Sequence, residues 1–349
     1  MASSTQKLIV IVGATGAQGG SVLNTFLSDS TYRIRAVTRN PNSSKAQSLA
    51  SKSSSIELVS ADLSDPTSLA HAFQDATSIF AVTDWMSIYQ DPSTHSARLP
   101  PDQSINQYAC TLEAQQARNV FDVASTIPTL ERLVFSTLPH VSKKSQGKYT
   151  HAYHFDSKAI AVEYLKSTYP ELWGKTSLIE MGAYLENYVT LPLFKPYKDT
   201  KTGEAVFEVL GSRKGSERPW PFVAAAEDTG PVVQALIDQI PAGKYVQVQR
   251  GLIQFADFVR DFEQVTGEKA RVQYDKKLEG MPESLNLQFA DTFAYMKEFG
   301  YGKKEEGTIT PEGLGVNLNL GSEKDWIKKA GLECYLGIMM EQRIKWTDI

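Results

Sequence analysis

The sequence predicts a doubly wound α/β fold, a parallel sheet with helices on both faces, followed by a smaller α+β lobe. Three observations carry that reading. The N-terminal half alternates short apolar runs with longer helix-compatible segments, the pattern of successive βαβ units. The first apolar run enters a glycine-rich turn and then a helical segment. The alternation weakens after Gly182, leaving enough of the 349 residues for a second unit.

Taken in order, the strand candidates are Leu8–Val12, Ile34–Val37, Ile56–Val59, Ile79–Val82, Leu133–Phe135 and Ser177–Ile179. Each is brief and rich in Val, Ile, Leu or Phe, as strands buried on both faces should be. Helix-compatible spacing covers Gly19–Ser28, Ser43–Ser51, Pro66–Phe73, Gln107–Ser125 and Ser157–Ser167. Two stretches interrupt the rhythm at strand ends, Thr83–Asn106 and Leu138–Phe155, and are expected to be long loops. In an open parallel sheet the ligand crevice lies outside the carboxyl ends of the strands, so these would be site walls. The division expected is a nucleotide-binding unit over 1–182, extended by a return segment near 223–250, and a substrate lobe over 183–349.

Composition limits the functions available. Hydrophobic residues at 42% and charged residues at 22% fit an ordinary globular chain. A net charge of −4 disfavours direct binding of nucleic acid. Two distant cysteines, Cys110 and Cys334, form neither a disulfide framework nor a zinc pattern, so no metal is expected and a reducing compartment fits. No apolar run approaches the ~20 residues that span a bilayer, and Met1–Gln6 lacks the pattern of a secretory leader. A cytoplasmic protein without membrane attachment is the expectation.

The strongest motif is Gly13-Ala14-Thr15-Gly16-Ala17-Gln18-Gly19, directly after the first strand. Glycine permits positive φ at the turn and lets backbone approach a pyrophosphate, while the following helix offers unpaired N–H groups and a partial positive charge. Gly13, Thr15, Gly16, Gln18 and Gly19 are therefore candidate dinucleotide-binding residues. The second strand ends in Arg39, where NAD-binding chains place an acid; a guanidinium there suits the 2′-phosphate of NADP(H), with Lys45 as a second cation. After the third strand, Asp62 is open to two roles, acceptor for the adenine amino group or helix N-cap, and Leu63 would cover the adenine face. Thr83, ending the fourth strand, would line the same groove.

These residues, with the His154-Phe155-Asp156-Ser157-Lys158 segment and the Tyr184-Leu185-Glu186-Asn187 run, resemble the NmrA-like branch of the atypical short-chain dehydrogenase/reductase superfamily over essentially the whole chain. The resemblance implies a Rossmann domain holding NADP(H) and a C-terminal lobe closing over the nicotinamide. It also implies a divided function: NADPH-dependent reductases of phenylpropanoids or quinones, fungal nitrogen regulators or cofactor-ratio sensors, and members of secondary-metabolite pathways.

A standard member of the superfamily uses Tyr-x-x-x-Lys, in which the two side chains share a helix face and the ammonium lowers the tyrosine pKa. Here the residue four before Lys158 is His154. Lys158 is a candidate base or, the preferred reading, a ligand of the nicotinamide ribose. His154 is a candidate acid/base because imidazole titrates near neutrality. Trp85, Met86, Tyr89, Tyr184 and Trp220 are candidate walls for a flat apolar ligand, and Glu180 and Glu186 candidate carboxylates beside the nicotinamide. Three functions follow: reduction of an aromatic or alkaloid-like metabolite, a non-redox rearrangement with retained NADP(H), or sensing of NADP(H) for a protein partner.

Overall fold

A computed structural model describes residues 6–191, 193–210, 218–276, 281–301 and 307–336. β1 (Lys7–Val12) runs into α1 (Ala17–Phe26), and the alternation continues through β2 (Tyr32–Thr38), α2 (Ser44–Ala50), β3 (Ile56–Ser60), α3 (Pro66–Phe73) and β4 (Ser78–Ala81). α4 (Trp85–Gln90) and α5 (Pro92–His95) precede the long α6 (Ile105–Ser125). Next come β5 (Arg132–Thr137), α7 (Val141–Lys144), α8 (Tyr153–Thr168), α9 (Pro170–Gly174) and β6 (Thr176–Met181). The second half holds β7 (Ala183–Tyr184), α10 (Asn187–Thr190), β8 (Tyr197–Lys198), β9 (Ala205–Leu210), β10 (Trp220–Val223) and α11 (Ala225–Asp238). It continues with β11 (Tyr245–Val248), β12 (Gly251–Ile253), α12 (Phe255–Thr266), β13 (Ala270–Lys276), α13 (Glu283–Phe299), β14 (Thr308–Ile309) and α14 (Glu323–Leu336).

The main sheet is ordered β3-β2-β1-β4-β5-β6-β11-β14, and its pairings are parallel. Both faces are buried, which is why β1 reads as an unbroken apolar run. Leu8, Val10 and Val12 join the core beneath α3, α6 and α8, while Ile9 and Ile11 join the core beneath α1 and α11. The chain reverses direction across the sheet between β1 and β4, and the crevice at that switch point is where a ligand is expected. β11 and β14 come from the C-terminal half, so the return of the chain completes this sheet rather than building a separate one.

The smaller lobe is formed by two three-stranded sheets, β12-β10-β7 and β13-β9-β8, around an aromatic core of Tyr188, Phe207, Phe222, Phe255, Phe258 and Phe262. α12 supplies three of these rings from one face because Phe255, Phe258 and Phe262 recur at helical spacing.

Both expected long loops are instead partly helical. In Thr83–Asn106, Asp84 accepts the N–H groups of Met86 and Ser87 to start α4, and Asp91 accepts that of Ser93 to start α5 with Pro92 in the first turn. Asp84, Asp91 and Pro92 are thus helix-start residues. In Leu138–Phe155, α7 forms after β5, and α8 begins at Tyr153, one turn before the expected Ser157. The rest of that stretch is tied to α13. Asp291 accepts the N–H groups of Thr150 and His151 at 2.9 and 3.0 Å, and Glu298 accepts from Tyr149 Oη at 2.7 Å.

Candidate functional site

A cavity of about 860 Å³ opens at the carboxyl ends of the central strands and runs from the end of β2, past the glycine turn, to the smaller lobe and α13. Its first wall is the turn itself. Gly13 has φ of 76°, and a Cβ on Gly19 would lie 2.2 Å from the Gly13 carbonyl oxygen, so neither position tolerates a side chain. α1 starts at Gly16 with no side-chain cap and no acid in its first turn, which leaves its N-terminal N–H groups facing the cavity unopposed.

At the end of β2, Arg39 lines the cavity and is exposed. Asp91 carries a carboxyl held below its usual range by the Ser93 hydroxyl and N–H, with a smaller contribution from Arg39. Asp62 and Leu63 line the cavity beyond β3. Asp62 is not the cap of α3: that is Asp65, which accepts from Thr67 N at 2.9 Å, whereas Asp62 accepts from Ser64 N at 2.7 Å in a local turn. Lys45 sits on the exposed side of α2, whose buried residue is Ala46, outside the residues that line the cavity.

Lys158 is brought to the cavity wall by α8, and its surroundings were not foreseen. Nζ donates to the buried carboxylate of Glu113 on α6, to the Thr83 carbonyl at 3.0 Å and to Thr83 Oγ1 at 3.2 Å. Glu113 also accepts from Ser157 Oγ and, at 2.8 Å, from Thr83 Oγ1. These three acceptors, one of them a carboxylate, fix Nζ in the wall as a positioning group. Glu113 was legible in principle, because it sits on the apolar stripe of α6 with Ala109, Ala117 and Val120, where a charge demands a partner.

His154 also lines the cavity. Its pKa is lowered to about 3, mainly by burial and secondarily by the Lys158 charge, so it stands as neutral imidazole and cannot donate a proton as imidazolium near neutrality. Gln288 Nε2 lies 3.0 Å from its Nδ1. The ring packs edge-on to Phe155 at 4.8 Å, with Trp85 at 6.2 Å and Phe289 at 6.1 Å.

The far end of the cavity is aromatic. Trp85, Tyr184 and Trp220 line it, together with Phe289, Phe293 and Tyr301. Tyr184 Oη accepts from Gln18 Nε2 at 2.6 Å, linking this wall to the glycine turn, and burial pushes its phenol pKa upward. Tyr89 is a correction: it stacks behind Trp85 at 5.0 Å, within the packing rather than on the wall. Glu180 is another. Its carboxylate is enclosed against β11, accepting from Tyr245 Oη at 2.8 Å and Gln247 Nε2 at 3.3 Å. Glu186 accepts from Ala226 N at 2.9 Å at the start of α11 and stays off the cavity.

α13 was missed altogether at the level of sequence, yet contributes Gln288, Phe289, Thr292, Phe293 and Met296 to the wall. Its signal was available: Leu285, Phe289, Thr292 and Met296 recur at helical spacing between Pro282 and Gly300. Among the described residues no group of His, Cys, Asp or Glu is placed to hold a metal ion, and no helix is long and apolar enough to cross a membrane.

Comparison with known proteins agrees with this architecture. The family model described as NmrA-like family matches residues 5–336. An NmrA-like family domain-containing oxidoreductase of Aspergillus hancockii is 28% identical over 278 residues, covering 77% of this chain and 76% of that protein. Among solved structures, the negative transcriptional regulator NmrA in complex with NADP superposes with a TM-score of 0.68 at 15% identity, covering 93% and 95% of the two chains. The NADPH-dependent quinone oxidoreductase of Escherichia coli complexed with NADPH gives 0.63 at 17% identity, covering 92% and 99%. At these identities the structural likeness is one of fold.

Proposed function

The chain belongs to the NmrA-like family, and from that premise we propose that it is an NADPH-dependent reductase of a flat, largely apolar aromatic metabolite. The observation that carries this reading is the continuity of one cavity from Arg39, past a glycine cradle, to a chamber lined by Trp85, Trp220, Phe289 and Phe293. The cradle is the fit test for a dinucleotide. A Cβ at Gly19 would collide with Gly13, and the uncapped start of α1 offers its N–H groups to an anion. The oxidoreductase named among the relatives, and the NADP and NADPH held by the two similar structures, support the same assignment.

When bound, the reduced nicotinamide supplies a hydride equivalent. The residues of the chain do the rest. Arg39 would pair with the 2′-phosphate, Asp62 and Leu63 would hold the adenine, and the amides of Gly13–Gly19 would hold the pyrophosphate. Lys158, fixed by Glu113 and Thr83, is a positioning group. With a net charge of −4, binding of so anionic a molecule rests on these local groups.

His154 in place of the superfamily's tyrosine favours a second reading, a non-redox rearrangement with retained NADP(H). Incubating the protein with NADPH and a panel of aromatic ketones, quinones and iminium compounds separates these two readings from each other and from sensing. Loss of absorbance at the reduced nicotinamide band with a product gaining two hydrogens supports reduction. Product of unchanged mass without cofactor oxidation supports rearrangement, and tight cofactor binding without product supports sensing.

A further inference from the structure

A line of buried amides runs from the main chain of α13 through α6 to the imidazole on the cavity wall. Asn106 of α6 and Gln288 of α13 are both fully buried. Asn106 Nδ2 donates to the Ser284 carbonyl at 3.3 Å and to Gln288 Oε1 at 3.0 Å. A main-chain carbonyl only accepts, so the nitrogen end of Asn106 is fixed, and Gln288 must turn its oxygen toward it. Its own nitrogen then donates to His154 Nδ1 at 3.0 Å. A donor against Nδ1 requires a lone pair there, which places the ring proton on Nε2.

We propose that Asn106 and Gln288 act as positioning residues that hold His154 as the Nε2–H tautomer, and that the substrate end placed against it is an uncharged hydrogen-bond acceptor such as a ketone or quinone oxygen. The proposal rests on the reductase reading and refines it by naming the chemistry of the reacting end.

Three features support the assignment. Nε2 has no hydrogen-bond partner among the described residues and is not among the enclosed polar atoms that lack one, although His154 lines the cavity. Its neighbours Trp85, Phe155 and Phe289 offer no acceptor that would compete with a ligand. Of the charged groups nearby, Lys158 lies one turn further along α8 and disfavours a second cation, while Glu113 is engaged by Lys158, Ser157 and Thr83. Burial acts in the same direction on the ring. A cationic substrate would meet an N–H dipole of the wrong sign at this point, whereas a carbonyl oxygen finds a neutral donor that needs no prior protonation.

The test uses the full-length protein labelled with ¹⁵N-histidine at pH 7. The His154 resonances are identified by their loss in His154→Gln. The proposal expects a neutral ring with its proton on Nε2 in the wild type. Gln288→Glu keeps the side-chain length but presents an acceptor to Nδ1, so the proton moves to Nδ1 or the ring becomes imidazolium. Ligand class is read in the same samples with two flat aromatic probes, 9,10-phenanthrenequinone and N-methylacridinium. The quinone should bind at least tenfold tighter than the cation and shift the Nε2 resonance, and Gln288→Glu should lose that preference by about tenfold. A proton on Nδ1 or on both nitrogens in the wild type overturns the positioning role. Equal or tighter binding of the acridinium, or binding of neither probe, overturns the substrate class. Absence of NADPH oxidation with every carbonyl compound, alongside the expected tautomer and preference, would defeat the reductase reading and leave the His154 assignment standing.

Discussion

Replacing Glu113 probes the best-defined interior charge in the site. Its carboxylate is fully enclosed, the Lys158 side chain is 10% exposed, and no second carboxylate pairs with Lys158 among the described residues. Glu113→Gln keeps the volume and retains an oxygen for the Ser157 and Thr83 hydroxyls, but leaves Lys158 as an uncompensated cation. Removing one partner of a buried pair costs about 3–5 kcal/mol, and the retained oxygen argues for the lower end, ~3 kcal/mol. Glu113→Leu also strands the two hydroxyls and should cost ~5 kcal/mol, since each unsatisfied buried group adds about 1 kcal/mol or more. The assay is urea unfolding of the wild type, Glu113→Gln, Glu113→Leu, Lys158→Met and the Glu113→Leu/Lys158→Met double variant. If the pair is coupled, the double variant should recover about 2–3 kcal/mol relative to the sum of the single losses. A cost below ~1 kcal/mol for Glu113→Gln, or a cycle that closes additively, would refute the claim that Lys158 is held by Glu113.

Further outcomes follow from the same geometry. Arg39→Ala should lower NADPH affinity by about tenfold, as expected for loss of a charge-assisted bond, while leaving NADH affinity nearly unchanged; fluorescence titration of both cofactors measures the ratio. Gly19→Ala should abolish cofactor binding, because its Cβ meets the Gly13 carbonyl at 2.2 Å, and should lower the unfolding temperature as the turn shifts. His154 gives a pH dependence of defined sign. Its folded pKa of about 3 lies below the ordinary 6.5, so the unfolded chain binds a proton that the folded chain does not as pH falls below 6.5. This contributes nothing above pH 6.5 and destabilises by about 1.4 kcal/mol per pH unit below it, down toward the folded value. Comparing urea unfolding of the wild type and His154→Asn at pH 7.5 and 5.5 should show the wild type losing roughly 1.4 kcal/mol more; equal losses would mean the ring is not held neutral.

What could be read from residues alone follows from how each signal is encoded. The strands of the main sheet were legible because burial on both faces writes them as apolar runs, unbroken from Leu8 to Val12 in β1. The glycine turn was legible because its constraint is local, with Gly13 and Gly19 only six residues apart. Glu180 misled because position near a strand's end does not say which neighbours enclose it; that depended on β11 returning to place Tyr245 and Gln247 beside it. The partners of Glu113 were hidden for a similar reason, since Thr83 and Lys158 lie 30 and 45 residues away. α13 escaped because its cavity face mixes Gln288 and Thr292 with Phe289 and Phe293, which blurs the apolar stripe that marks a helix.

The reductase reading is tested most directly by following deuterium from the cofactor. The protein is incubated with NADPH carrying deuterium at both C4 positions and a panel of aromatic ketones, and the products are analysed by mass spectrometry. The account predicts an alcohol bearing one deuterium on the former carbonyl carbon, formed in step with cofactor oxidation and lost when Gly19 is replaced by Ala. A product without deuterium, or a cofactor that binds and is never oxidised by any ketone, would contradict it.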